Sequence, residues 1–254
     1  ASISANGTIE TVKAVTPQSL KAAYDSMLQN DTVDIYVVGD IDVEEMTEKL
    51  RQVLAFGDRE LHEKQLKTEI DTKPEEYTKE QQEMKQGKLH IGFSTPVYFG
   101  DPDFPKMQIF NGIFGGYAHS KLFMNVRERE SLAYYASSSY SSQYGLVFVT
   151  SGIEPSNEKK AIDVINEQLK VMQNGEISDL ELTQTKAMLT NQLKEALDSA
   201  RGQIEIYDQY KDLNEAFTID TWADRWQQVT KEDVQQMAKQ VKQEAIYFLC
   251  GKED

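Results

Sequence analysis

A helix followed by an apolar strand occurs twice in this chain, and this repeat restricts the fold more than any other feature. One copy covers residues 15–39 and the other residues 229–251, so the two copies begin 214 positions apart. Thr16 and Thr230 are each suited to cap the helix of their copy, and each strand ends at a glycine. The repeat predicts that the chain contains the end of one unit and all of a second, similar unit.

The stretch between the copies is rich in charge. Half of the residues at 58–87 are Asp, Glu, Lys or Arg, and Pro74 lies near the middle. Such a stretch is typical of a linker, although a solvated charged helix is the alternative. We therefore expect a tail of the first unit at 1–57, a charged linker at 58–87 and the complete second unit at 88–254. The last part of the linker is a candidate to join the sheet of the second unit.

The pattern of the second unit groups its strands and helices separately. A strand is expected at 88–97, a hairpin at 132–153 and a final strand at 245–250, whereas helical periodicity runs in blocks between them. Ser178 and Glu181 form a capping box that is expected to open a long helix extending to Leu213. Regular alternation of strand and helix, which a doubly wound fold needs, is missing. The grouping therefore predicts an α+β unit, with helices packed on a largely antiparallel sheet.

Composition excludes several classes of partner. The formal net charge of -15 would repel a polyanion, so nucleic acid is not an expected partner. The longest apolar runs have the length of a strand, so no membrane partner is expected either. Cys250 is the only cysteine, which rules out an internal disulfide and a zinc site built from cysteines. A cytoplasmic location is the expectation that follows from this cysteine usage.

The three histidines do not form a recognisable metal motif. His62, His90 and His119 are far apart, and none has a second histidine or a carboxylate at ligand spacing. His62 is followed by Glu63, but Leu66 stands where a zinc-binding helix would need its next histidine. We therefore expect no metal ligand in this chain.

One segment, residues 115–135, carries side chains suited to peptide chemistry. Arg127 lies on a short predicted helix, and Tyr134 follows seven positions later where a strand begins. A guanidinium group and a phenol can hold a peptide carbonyl and stabilise its developing oxyanion. From residue types alone, the alternative is an ion-paired surface arginine and a tyrosine packed in the strand.

The same segment resembles the second homologous half of the pitrilysin family of zinc peptidases, which includes insulin-degrading enzyme and the mitochondrial processing peptidase. The Gly115-Gly116 turn, the Ser120-Lys-Leu-Phe entry and the Arg127-x6-Tyr134 spacing carry the resemblance. Residues 37–42 resemble the strand that closes the first half, and residues 177–182 resemble the entry to its long helix. The likeness extends over nearly the whole chain and is strongest to inactive bacterial members, which pair with an active subunit.

The resemblance implies different roles for the two halves of the protein. In this family the first half carries a His-x-x-Glu-His zinc motif, and the second half supplies an arginine and a tyrosine that close on the substrate. Arg127 and Tyr134 would inherit the catalytic and substrate-binding roles, with a peptide as the substrate. No cofactor is expected in this chain, since zinc would lie on a complementary half or subunit. That partner, or a second copy in a homodimer, would complete the site, so the chain alone should be inactive. A catalytically inert scaffold of the same fold is the alternative.

Overall fold

The computed structural model describes residues 6–54, 68, 76–211, 213 and 218–251, with the side chain of Ile219 left out. The chain divides into two compact units, Ala1–Lys64 and Gln65–Asp254. His62 and the residues of the expected linker at 58–67 and 69–75 lie outside the described residues.

The first unit contains three helices and no buried side chain among its described residues. The helices are α1 (Ile9–Lys13), α2 (Pro17–Asn30) and α3 (Val43–Val53). Thr16 accepts a hydrogen bond from the Ser19 backbone amide, as the sequence predicts for a helix cap. The strand expected at 33–38 is not formed, because no other described strand pairs with this segment. Its apolar side chains are consequently exposed.

The second unit is built on one sheet of five strands in the order β1-β5-β2-β4-β3. The strands are β1 (Glu76–Gln82), β2 (Gly87–Ser94), β3 (Ala133–Ser141), β4 (Leu146–Ile153) and β5 (Lys242–Gly251). β1 runs parallel to β5, and all other neighbouring pairs are antiparallel. The expected largely antiparallel sheet is therefore confirmed.

Helices of the second unit cover one face of this sheet. They are α4 (Phe104–Asn111), α5 (Glu158–Gln173), α6 (Asp179–Leu197), α7 (Ala200–Tyr210), α8 (Ile219–Gln228) and α9 (Lys231–Gln240). Alternate residues of β2, among them Leu89, Ile91 and Phe93, are buried in a single core together with the apolar faces of the helices. This arrangement is the α+β class expected from the sequence.

Two boundaries differ from those expected. The last part of the 58–87 stretch joins the second sheet, as the sequence suggests, because β1 pairs along its length with β5. The second unit therefore begins before residue 88. As an edge strand, β1 keeps its charged side chains in water, which explains its linker-like composition. The long helix expected to run from residue 178 to Leu213 stops at Leu197, and Ser199 caps the separate helix α7.

Candidate functional site

Two turns of π-helix, a rare backbone form, occur in this part of the chain, and the first contains the Gly115-Gly116 pair. One covers Gly112–Gly116 at the end of α4, and the other covers Phe123–Arg129. The first depends on glycine, since a Cβ atom at Gly115 would lie 2.5 Å from the backbone nitrogen of Ser138. Only a residue without a side chain lets this turn pack so closely on β3. π-helical turns concentrate at functional sites, which directs attention to the segment that follows.

Arg127 lies on the second π-helical turn with its side chain exposed to solvent. Its guanidinium group stands 4.6 Å from the ring centroid of Phe123, within the range of a cation–π contact. Its Nε atom is 3.6 Å from a carboxylate oxygen of Glu128, a loose ion pair at the surface. The guanidinium is thus oriented by the Phe123 ring, and within the described part of the chain it keeps donors without a partner that a ligand could approach.

The chain reverses sharply between Arg127 and the strand that carries Tyr134. Ser131 has a φ of 51°, a left-handed conformation that is unusual for any residue other than glycine. The backbone amide of Leu132 donates to the carbonyl of Val126 at 3.0 Å, which ties the start of the strand to the helical turn. Residue 131 therefore sets the direction in which β3 leaves the helix.

Tyr134 lies at an irregularity of the sheet. In the pairing of β3 with β4, Ala133 faces Ile153 and Tyr135 faces Gly152, so that Tyr134 is the extra residue of a β-bulge. A bulge turns one side chain out of the regular alternation, and bulges are common beside active sites. Tyr134 is accordingly 59% exposed, instead of packing into the strand.

The hydroxyl group of Tyr134 donates a hydrogen bond to the carboxylate of Glu154, the residue that follows β4. This hydrogen bond, together with the negative charge of Glu154, raises the pKa of Tyr134 above its ordinary value. The phenol therefore keeps its proton at neutral pH and remains a donor. No spacing in the sequence pointed to Glu154, because it lies 20 positions from Tyr134 and meets it only through the hairpin.

Buried polar contacts fix the turn between the two π-helical segments to helix α6. Lys121, nearly fully buried, forms a 2.9 Å ion pair with Glu181 in the first turn of α6. Burial on its own would raise the pKa of Glu181, but hydrogen bonds from Lys121 and Ser178 lower it below its usual value. His119 contacts the hydroxyl of buried Thr185 at 2.8 Å, and burial lowers its pKa. These contacts are structural, since they hold the turn in place.

The described histidines do not gather metal ligands around them. His90 lies on β2 against the ring of Tyr247, and burial lowers its pKa. Within the described ranges, no group of three or more His, Cys, Asp or Glu side chains could hold a metal ion. The residues present in the described part of the chain therefore do not fit a zinc ion. In the same ranges, no helix has the length and apolar character needed to span a bilayer.

The structure places Arg127 and Tyr134 on consecutive segments, joined by a strained reversal, with both side chains at the surface. What chemistry they perform stays a prediction. Glu154, the bulge and the two π-helical turns were missed by sequence reasoning, because each depends on pairing between distant segments or on backbone geometry without a residue signature.

Comparison with known proteins assigns the family. The family model described as peptidase M16 inactive domain matches residues 14–189. A Bacillus subtilis (strain 168) protein named probable inactive metalloprotease YmfF is 39% identical over 249 residues, which are 98% of this chain and 58% of that protein.

Solved structures agree in fold. A conserved protein from Enterococcus faecalis V583 is 38% identical, with a TM-score of 0.90 over 99% of this chain and 60% of that chain. A peptidase M16 inactive domain from Pseudomonas fluorescens, at 17% identity, shares the fold with a TM-score of 0.76 over 98% of this chain and 61% of its own length. The chain spans about three fifths of these relatives. It belongs to the M16 family of metallopeptidases, the pitrilysin-type family that the sequence resembles, and carries that family's inactive domain.

Proposed function

We propose that this chain is the half of an M16 metallopeptidase that does not bind zinc, and that it contributes Arg127 and Tyr134 to a peptide site. One observation carries the proposal. Arg127 lies on a π-helical turn and Tyr134 on a β-bulge, and Ser131 between them is held in a left-handed conformation. Three departures from regular backbone occur within a dozen residues. Such departures cost stability and are concentrated at functional sites, and here they present two polar side chains at the surface.

The proposed role of Arg127 is capture of the substrate. Its guanidinium fork can donate two parallel hydrogen bonds to the two oxygens of a carboxylate, or can donate to a peptide carbonyl oxygen. The Phe123 ring limits the directions that the side chain can take, which reduces the entropy lost when a ligand binds. Its only described carboxylate contact is the 3.6 Å pair with Glu128, which a bound ligand can replace at little cost.

The proposed role of Tyr134 is donation to the oxyanion that develops on the scissile carbonyl. A protonated phenol is a suitable donor, and a tyrosine is protonated at neutral pH because its ordinary pKa of about 10 lies well above neutrality. The single O–H group of Tyr134 is engaged with Glu154 in the free protein. Donation to a substrate therefore requires the phenol to leave Glu154 when the peptide arrives.

The rest of the peptidase site would come from a complementary half. We propose that residues 1–57 are the closing part of such a first homologous unit. In sequence, helix α2 and the apolar segment at 33–38 resemble α9 and β5. Unlike α9 and β5, they bury no side chain, as is expected of a part that lacks the rest of its unit. We propose that the complementary half is a zinc-bearing part of a longer chain or a separate zinc-bearing subunit, with a homodimer as the alternative arrangement. We further propose a cytoplasmic location.

A catalytically inert scaffold is the second candidate. It is favoured by the contacts that Arg127 and Tyr134 already make with Glu128 and Glu154, because surface pairs of this kind need no function. In that case the two side chains would contribute to neither binding nor turnover.

The test is peptide cleavage by the protein reconstituted with a zinc-bearing half. Tyr134→Phe should lower kcat about a hundredfold, the usual cost of removing one oxyanion donor. Arg127→Ala should chiefly raise KM, because it removes a contact that the substrate makes before reaction. The chain alone should neither cleave peptides nor retain zinc after dialysis.

Each variant has a matched control on the same element. Tyr135→Phe changes the neighbouring exposed tyrosine of β3, and Arg129→Ala changes another exposed arginine of the same π-helical turn. Both controls should keep full activity. If Tyr134→Phe and Arg127→Ala behave like their controls, the scaffold hypothesis is correct.

A further inference from the structure

A cavity of about 350 Å³ lies between helices α4, α6 and α7 and strand β3. Its wall contains four carboxamide side chains and several hydroxyl groups, together with a few apolar residues. None of its lining residues is charged, although charged residues make up 27% of the chain. A wall of this composition favours a ligand that is neutral and forms hydrogen bonds.

The carboxamides are held in defined orientations by the protein. The hydroxyl of Ser138 donates to Oδ1 of Asn111 at 2.8 Å, and the phenol of Tyr117 donates to Oε1 of Gln192 at 2.8 Å. Burial raises the pKa of Tyr117 to about 12, so it remains a donor over the whole neutral range. With both oxygens engaged, the amide nitrogens are the groups left to interact with a ligand.

A third carboxamide is oriented by a group that can only donate a hydrogen bond. The indole Nε1 of Trp226 donates to Oε1 of Gln108 at 2.9 Å, which sets the orientation of that amide without ambiguity. Among the described residues, no protein acceptor is found for the amide nitrogens of Asn111 and Gln192. The cavity therefore presents two oriented N–H donors, while the hydroxyls of Ser139 and Ser142 in its wall can accept.

The cavity lies beside the segment proposed to act on peptides. Gly112, Gly116 and Tyr117 in its wall belong to the turn that leads to Arg127, and Ser138 to Tyr140 continue the strand that begins beside Tyr134. The volume of the cavity is enough for one side chain and the backbone next to it. A carboxamide side chain could accept hydrogen bonds from the amide groups of Asn111 and Gln192, and could donate to the hydroxyls of Ser139 and Ser142.

We propose that this cavity binds the side chain of a glutamine or asparagine in a peptide ligand. This inference rests on the proposed peptide-binding function and adds a preference for the substrate. A carboxylate of the same shape is disfavoured, because no cation lines the cavity and the chain carries a net charge of -15.

The experiment compares two blocked tripeptides, acetyl-Ala-Gln-Ala-amide and acetyl-Ala-Glu-Ala-amide, titrated into the ¹⁵N-labelled full chain at pH 7. The side-chain amide resonances of Asn111 and Gln192 and the indole resonance of Trp226 report on the cavity. The Gln peptide should shift all three and bind at least about tenfold more tightly than the Glu peptide, because an anion lacks a charge partner there.

Two variants localise the binding. Gln192→Ala removes one amide donor from the cavity. It should weaken binding of the Gln peptide about fivefold, which is the usual contribution of one neutral hydrogen bond. Gln228→Ala changes an exposed glutamine that lines a different cavity and should have no effect. Equal binding of the two peptides, absence of shifts at the cavity, or an unchanged affinity in Gln192→Ala would each overturn the proposal.

The outcome is separable from that of the proposed function. Arg127→Ala and Tyr134→Phe should leave the tripeptide shifts at the cavity unchanged, since neither residue lines it. Loss of activity in those two variants without any tripeptide binding would reject the cavity proposal alone. Tripeptide binding with activity unaffected by those variants would reject the catalytic assignment alone.

Discussion

At the scale of single residues, the Tyr134–Glu154 hydrogen bond determines the state of the proposed oxyanion donor. A carboxylate that accepts from a phenol stabilises the protonated phenol and disfavours the phenolate. The same contact occupies the only O–H that Tyr134 can offer. Glu154 therefore both preserves the donor and competes with the substrate for it.

Replacement of Glu154 by glutamine should lower the pKa of Tyr134 toward the ordinary tyrosine value, because the negative charge beside the phenol is removed while a weaker acceptor remains. The measurement is a ¹³Cζ NMR titration of labelled tyrosines, with the Tyr134 signal assigned by its loss in Tyr134→Phe. Glu158→Gln is the control, since Glu158 binds Tyr77 and should leave the Tyr134 signal unchanged. A Tyr134 pKa that is the same in wild type and Glu154→Gln would show that the hydrogen bond does not form in solution.

Sequence reasoning reached Arg127 and Tyr134 through residue type, spacing and family likeness, but it did not reach their surroundings. Phe123 is four positions from Arg127 and could have been suggested by helical spacing. Glu154 could not have been suggested in this way, because the bulge at Tyr134 and the length of the hairpin decide which residue at the end of the hairpin the phenol contacts. Side-chain partners across a hairpin depend on register, which a single sequence defines weakly.

At the scale of elements, the site depends on how closely the first π-helical turn approaches strand β3. Gly115 permits this approach, since atoms of Ser138 and Leu122 occupy the space where a Cβ atom would stand. The Lys121–Glu181 ion pair then fixes the following turn to α6. The segment carrying Arg127 is thus positioned from both sides.

Substitution of Gly115 by alanine should destabilise the second unit by about 2 kcal/mol, because the new methyl group would lie 2.5 Å from Ser138 N and 2.8 Å from Leu122 Cδ1. Urea unfolding followed by tryptophan fluorescence measures the change, as both tryptophans belong to this unit.

The matched control for Gly115→Ala is Gly92→Ala, at a strand position where the nearest atom to a new Cβ is 4.0 Å away. It should leave the unfolding free energy nearly unchanged or raise it slightly, since alanine restricts the unfolded chain. Equal effects of the two substitutions would mean that the turn does not pack on β3 as described.

At the scale of the whole molecule, the two copies of the repeat differ in burial. In the second unit, Val234, Met237 and Phe248 of α9 and β5 lie in the core. In the first unit, the corresponding helix α2 exposes its apolar residues, Leu20 and Tyr24 among them, and buries none. Similar sequences thus have different environments, because only one copy has a sheet to join within the described residues.

Limited proteolysis should reflect this contrast. Cleavage should occur first within residues 6–75, where the described helices bury no side chain and most of the charged stretch follows, and a fragment containing β1 to β5 should persist. Mass spectrometry of a short time course locates the first cuts. Early cleavage between residues 100 and 250 would contradict the division of the chain into a packed and an unpacked unit.

The sequence by itself determined the α+β class, the repeat, most helices and strands of the second unit, and the family. These depend on periodicity, capping residues and local motifs, which act over a few residues and can be read without a structure. Tertiary structure decided that β1 lies at the edge of the sheet, parallel to β5, that residues 33–38 form no strand, that Tyr134 is bulged toward Glu154, and that uncharged side chains line a cavity. Each of these depends on which distant segments meet, because backbone hydrogen bonds and side-chain packing between strands are settled by the whole fold.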